Sequence, residues 1–329
     1  MTTRTRLTAR LLTAAACVAA AAVLAGPAAA SQLIDRNASG IKLAVNKKGY
    51  ALLTYHARGR LRHVLAWGAI NARPPSRKIQ QFQFRLDYSG GWGRFRKDVW
   101  RKFPNACRPY DGPKLAWVVT ACKAPDNTYW AVQAWQTPLP DLGFVPWLNR
   151  QSAWEMHLSH WSGPLAKLEV WNDWVYGGRF HELFGRLTYK DKPVFGYRST
   201  NYGAPQDRYG RLFYLDTYNS VYGKGWRREN SFLAHRPTGI FCYGFYTFDP
   251  FTGGYEHPKG LPKGTKRGPG IGEQYRITVE GPGVTADVMW QGPGLHNYDP
   301  NNPDDVSFED LMNEQLRSIL GPDKICRHY

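Results

Sequence analysis

The stretch Ile41–Trp67, IKLAVNKKGYALLTYHARGRLRHVLAW, decides the fold class. IKLAV, YALLTY and LRHVLAW are apolar runs of strand length. NKKG and HARGR between them each place a glycine where a tight turn wants positive φ. The stretch is therefore expected to form a three-strand meander. Outward from it the pattern continues. FQFRLDY (Phe82–Tyr88) puts Phe82, Phe84, Leu86 and Tyr88 on one face at period two. AWVVTA and YWAVQAW flank the turn KAPDN as a second hairpin.

The second half repeats this grammar. WEMHLSHW, KLEVW, FGRLTY and PVFGYRST are short strand candidates separated by Gly and Pro. IFCYGFYTF is apolar on both faces, as a central buried strand would be. EQYRITVEG and VTADVMW form a last hairpin across a Gly-Pro-Gly turn. The Pro-rich stretch 138–150 is the expected subdomain boundary. One helix closes the chain. Ser307 and Asp310 resemble a capping box, and Phe308, Leu311, Met312, Leu316, Ile319 and Leu320 follow at helical spacing up to Gly321-Pro322. No fixed period repeats. The expectation is a mainly β fold, an antiparallel sandwich or barrel-like sheets, with one C-terminal amphipathic α-helix.

The first thirty residues read as a signal peptide cleaved after Ala30. Arg4, Arg6 and Arg10 precede an apolar Leu11–Leu24 run, and Ala28-Ala29-Ala30 ends it. Cys17 after three alanines offers a competing lipid-attachment reading. No apolar run reaches the roughly 18 to 20 residues of a membrane-spanning helix. The leader holds three arginines and no acid, so the mature chain keeps about +14 of the formal +17. Such a charge suits anionic partners: cell-wall phosphates, acidic polysaccharide or anionic lipid. Its spread along the chain points away from nucleic acid.

Removal of the leader leaves Cys107, Cys122, Cys242 and Cys326. An even number in an exported chain implies disulfides. Cys107–Cys122 is expected as a local clip and Cys242–Cys326 as a tie for the C-terminus. A four-cysteine zinc site lacks the C-x2-C spacing it needs.

No motif names a reaction or a cofactor. HELFG at His181 has Gly185 where a zinc protease needs its second His. His157 and His160, three apart on a strand, face opposite sides and share a metal only if the segment is helical or bulged. Asp173 or His181 would then be the third ligand.

The candidate site is YLDTYNSVYGKGWRRENSFLAH, Tyr214–His235. Alternation turns Phe213, Leu215 and Thr217 one way, toward a core, and Tyr214, Asp216 and Tyr218 the other, toward a surface. Sugar rings stack on Tyr and Trp while charged groups fix their hydroxyls. This assigns Tyr214, Tyr218, Tyr222, Trp226, Arg228 and His235 to a glycan or an anionic cell-surface polymer. A polysaccharide hydrolase would need a carboxyl pair: Asp216 with Glu229, or Glu155 with Asp173. The third reading is a structural envelope protein in which these groups only pair with one another. The basic Gly/Pro loop 255–272 carries no assigned role.

Overall fold

The computed structural model describes residues 31–76, 78–137, 153–175, 178, 180–195, 198–199, 205–220, 223–228, 232–244 and 272–321. The expected leader, Pro138–Arg150, loop residues 255–271, Tyr222, Glu229 and Cys326 lie outside them.

The described chain is mainly β, in four antiparallel sheets with one long C-terminal helix. The meander forms as expected. Ser39–Val45, Ala51–Ala57 and Arg60–Trp67 pair in sequence, and Arg85–Asp87 joins their edge as the first sheet. Gly49 and Gly59 turn the two hairpins at φ 73° and 71°. The second sheet runs Gln32–Arg36, Ala153–Trp161, Tyr129–Thr137, Val118–Lys123 and Arg108–Pro109. The third runs Gly223–Arg228, Phe213–Ser220, Gln274–Val279 and Val288–Pro293. The fourth runs Lys167–Val175, Phe180–Tyr189, Ile240–Gly244 and Phe232–His235. Ile240–Gly244 is paired on both sides, as its apolar sequence requires.

Period-two alternation then stacks the sheets. Leu53, Tyr55 and Val64 of the first meet Trp130, Val132, Met156 and Leu158 of the second in one apolar core. Phe213, Leu215, Tyr275 and Ile277 of the third meet Leu183, Leu187 and Phe241 of the fourth in another. The two sandwiches join where the second sheet faces the third. Gln133 exchanges two hydrogen bonds with the backbone of Asp287, at 2.8 and 3.0 Å. Arg276 Nη2 donates to the Gln136 carbonyl at 2.6 Å.

The Pro-rich stretch 138–150 lies outside the described residues. Tyr129–Thr137 and Ala153–Trp161, on either side of it, pair along their whole length in one sheet. The chain passes from one sandwich to the other between Trp161 and Lys167.

The helix spans Pro303–Leu320 and starts one turn before the expected capping box. Asn302 is the N-cap and accepts from Asp304 N–H at 3.1 Å, and Pro303 fills the first helical position where no N–H is needed. Met312, Leu316 and Leu320 pack on Phe184 and Ile240 of the fourth sheet, whereas Leu311 is exposed. Among the described residues no helix is long and apolar enough to cross a membrane.

Cys107 and Cys122 are bonded to each other. Cys242 is also disulfide-bonded; its expected partner, Cys326, lies outside the described residues. Serine at both Cys107 and Cys122 removes a cross-link over 15 residues. The loss of unfolding free energy is expected to be about 3 kcal/mol, read as a lower urea midpoint with the β-type circular dichroism retained.

Candidate functional site

The alternation read for Tyr214–Tyr218 is real, but both of its faces are covered. Phe213, Leu215 and Thr217 face the fourth sheet, and Tyr214 and Asp216 face the second. Asp216 is fully buried. Cross-strand register sets Arg228 on one side of it and Arg276 on the other. Arg228 Nε donates to Oδ1 at 2.6 Å, and Arg276 Nη2 donates to Oδ2 at 2.6 Å. The Arg228 guanidinium lies 3.7 Å from the Tyr214 ring centre and that of Arg276 lies 4.2 Å from Trp226. Two buried cations are thus held by one carboxylate and two aromatic faces. Burial lowers the Arg276 pKa, and Asp216 opposes that shift.

The expected surface is therefore an ion-paired seam between sheets. Tyr214, Trp226 and Arg228 are buried in it, and Tyr218 is half-buried against the Trp226 ring at 5.1 Å. Tyr222 and Glu229 lie outside the described residues. His235 sits on the edge strand of the fourth sheet, opposite Phe241. The second proposed carboxyl pair is divided, with Glu155 on the second sheet and Asp173 on the fourth.

The seam continues into a titratable cluster. His157 Nδ1 and Ser31 Oγ share a hydrogen bond of 2.8 Å. His157 Nε2 is 3.4 Å from Glu155 Oε2, and Nδ1 is 3.5 Å from Asp287 Oδ2. Arg36 reaches Glu155 at 2.9 Å. Burial opposes the charged imidazole, yet Asp287, Glu155 and Glu280 together raise the His157 pKa. Burial would raise Glu155, but His157 and Arg36 carry it below its usual value. Glu280 is pushed up to about 8 by burial, with Asp287 and Glu155 adding to the shift against His157.

His160 and His181 are packing groups. His160 stacks on Trp130 at 3.9 Å and bonds Thr128 Oγ1 and the Ala69 carbonyl. His181 lies on a strand and bonds the Tyr275 hydroxyl. Burial lowers both to about 4. Among the described residues no three His, Cys, Asp or Glu side chains gather as a metal site.

An open site lies elsewhere, on the first sandwich. Three loops frame a cleft of about 460 Å³. The Asn46–Tyr50 turn is set by Asn46 Oδ1, which accepts from the N–H groups of Lys48 and Tyr50 at 2.9 and 3.0 Å. The short helix Trp92–Phe95 is held by Asp87, which accepts from the N–H groups of Ser89 and Arg94 at 2.9 and 2.7 Å. Gly91 permits this fold-back, because a β-carbon there would lie 2.5 Å from that of Val99. Pro104–Ala106 closes the third side, with Ala106 N–H donating to the Val45 carbonyl at 2.7 Å. Tyr50 and Phe95 stack at 6.0 Å on the floor, and Tyr50 also meets Trp67 at 6.0 Å. Lys47, Lys48 and Lys97 are exposed around them, and no described lining residue is acidic. A second cleft of about 430 Å³ repeats the chemistry with Arg73, Lys190, Lys192 and Arg208 around Tyr189, Phe195 and Tyr209. The basic–aromatic interleaving of NKKGY and RFRKDVWRK is the sequence signal for the first cleft.

No family model, curated protein or solved structure matches this chain.

Asp216→Ala removes the carboxylate that two buried guanidiniums share. It is expected to cost about 3 to 5 kcal/mol in urea unfolding, and joint replacement by Asp216→Leu, Arg228→Met and Arg276→Met to recover most of it. An unchanged midpoint in Asp216→Ala would show that the carboxylate has no structural role.

Proposed function

We propose that the chain is exported, loses residues 1–30 after Ala30, and binds an anionic glycan or cell-surface polymer through the Tyr50–Phe95 cleft. One observation carries the assignment: an open cleft with stacked aromatic rings on its floor, three exposed lysines around it and no acid among its described lining residues. Aromatic faces take the C–H surface of a sugar ring. Uncompensated ammonium groups take phosphate, sulfate or carboxylate at a cost in desolvation far below that of a buried ion pair. Asn46 and Asn105, also in the lining, add amide groups for hydroxyl recognition. A second cationic cleft, with no acid among its described lining residues, suits a repeating polyanion, because two weak sites on one chain bind with avidity. Disulfide bonding fits an oxidising compartment.

The hydrolase alternative loses its leading carboxylate, since both oxygens of Asp216 are engaged by arginine. The seam belongs to architecture and the cleft to recognition.

Retention on immobilised glycerol-phosphate polymer or polygalacturonate is the direct measurement. Binding is expected at low salt and to weaken as salt screens the lysines. Lys47→Glu with Lys97→Glu is expected to lower affinity by about tenfold or more with an unchanged melting temperature. Tyr50→Leu is expected to weaken sugar-containing polymers more than inorganic polyphosphate. Undiminished retention in both variants would remove the site.

A further inference from the structure

The cluster around His157 holds more buried acid than base. Glu155, Glu280 and Asp287 converge on His157, and Arg36 serves Glu155. Tyr214, under Arg228, closes the cluster from the third sheet. Glu280 and Asp287 thus share one imidazole with Glu155.

Ser31 lies against this cluster, bonded to His157 and to the Asp287 side chain. It is buried, and its backbone nitrogen donates to the Gly281 carbonyl at 3.0 Å, one residue after Glu280. Gly281 N–H in turn donates to Asp287 Oδ1 at 2.7 Å. Ser31 also holds φ 24°, a conformation that a residue with a β-carbon rarely adopts. It is the residue that leader cleavage after Ala30 exposes as a new N-terminus.

The geometry points to a maturation-coupled ion pair: cleavage converts the Ser31 nitrogen into an α-ammonium that stays in the seam and neutralises the Glu280 and Asp287 carboxylates. The inference rests on the leader reading. Hydrolysis of the Ala30–Ser31 amide by a leader peptidase consumes one water, leaves a carboxylate on Ala30 and frees an amine that takes up a proton. The nitrogen keeps its bond to Gly281 and gains further N–H donors inside an acidic cluster. The φ torsion of Ser31 is defined by the preceding carbonyl carbon, so its strain disappears with the bond. Before cleavage burial pushes the acid at 280 up to about 8. Afterwards an adjacent cation favours its ionised form, and the acids raise the pKa of the amine above its usual value near 8. A group whose folded pKa is raised stabilises fully below its unfolded pKa. That stabilisation is lost as pH rises through the folded value.

The test compares a chain released by a site-specific protease directly before Ser31 with one that keeps Ala29-Ala30. The free-Ser31 chain is expected to melt about 3 °C or more higher at pH 7. The gap should close at high pH and vanish in Glu280→Gln, Asp287→Asn chains. Equal melting at pH 7, or a gap that survives the double substitution, overturns the ion pair. Acetic anhydride gives a readout that does not depend on the variants folding. The folded free-Ser31 chain should resist α-acetylation, and modification at the unfolded-chain rate also overturns it. N-terminal sequencing of the exported protein tests the leader separately. A start other than Ser31 refutes that cleavage while leaving the melting comparison intact.

Discussion

One carboxylate between two guanidiniums decides how the halves of this molecule meet. Asp216, Arg228 and Arg276 occupy a single cross-strand row, and that row faces the second sheet rather than water. Removing three charges from solvent costs several kcal/mol each unless every partner is in place. Here the partners include two aromatic faces and the Gln136 carbonyl of the neighbouring sheet. A one-residue slip of any of the three strands would turn a charge into the apolar core between the third and fourth sheets. The row therefore fixes register as well as contact. The Gln133–Asp287 pair and the Ser31–His157 cluster extend the same seam.

Much of the fold was legible because period-two patterning and glycine turns are local signals. The meander, the hairpin around 124–128, the central Ile240–Gly244 strand and the closing helix all follow from them. The candidate site was legible only in part. Alternation correctly separated Leu215 from Asp216, yet a strand sequence does not say whether a polar face meets water or another sheet. Arg276 completes the row from 60 residues away and carries no mark of its own. The helix start shifted by one turn because Asn302-Pro303 supplies a stronger beginning than Ser307 and Asp310 do.

The seam and the cleft have the same composition, aromatic rings beside arginine or lysine, and opposite electrostatics. In the seam Arg228 and Arg276 meet a carboxylate at 2.6 Å. Around Tyr50 and Phe95 the lysines meet no acid among the described lining residues. Counter-charge, rather than aromatic density, separates a packing contact from a surface with attraction to spare. That distinction lives in strand pairing and loop closure, which place residues far apart in sequence side by side.

The clip at Cys107 has a reach beyond its own loop. Asn105, two residues earlier, accepts from the N–H groups of both Val45 and Cys107, at 3.2 and 3.0 Å. One wall of the cleft is thereby tied through a covalent bond to the strand Val118–Lys123. Thiols stay reduced in the cytosol and pair in oxidising compartments. The cationic cleft is consequently a feature that oxidation completes, and a reduced chain presents it with one wall unfastened.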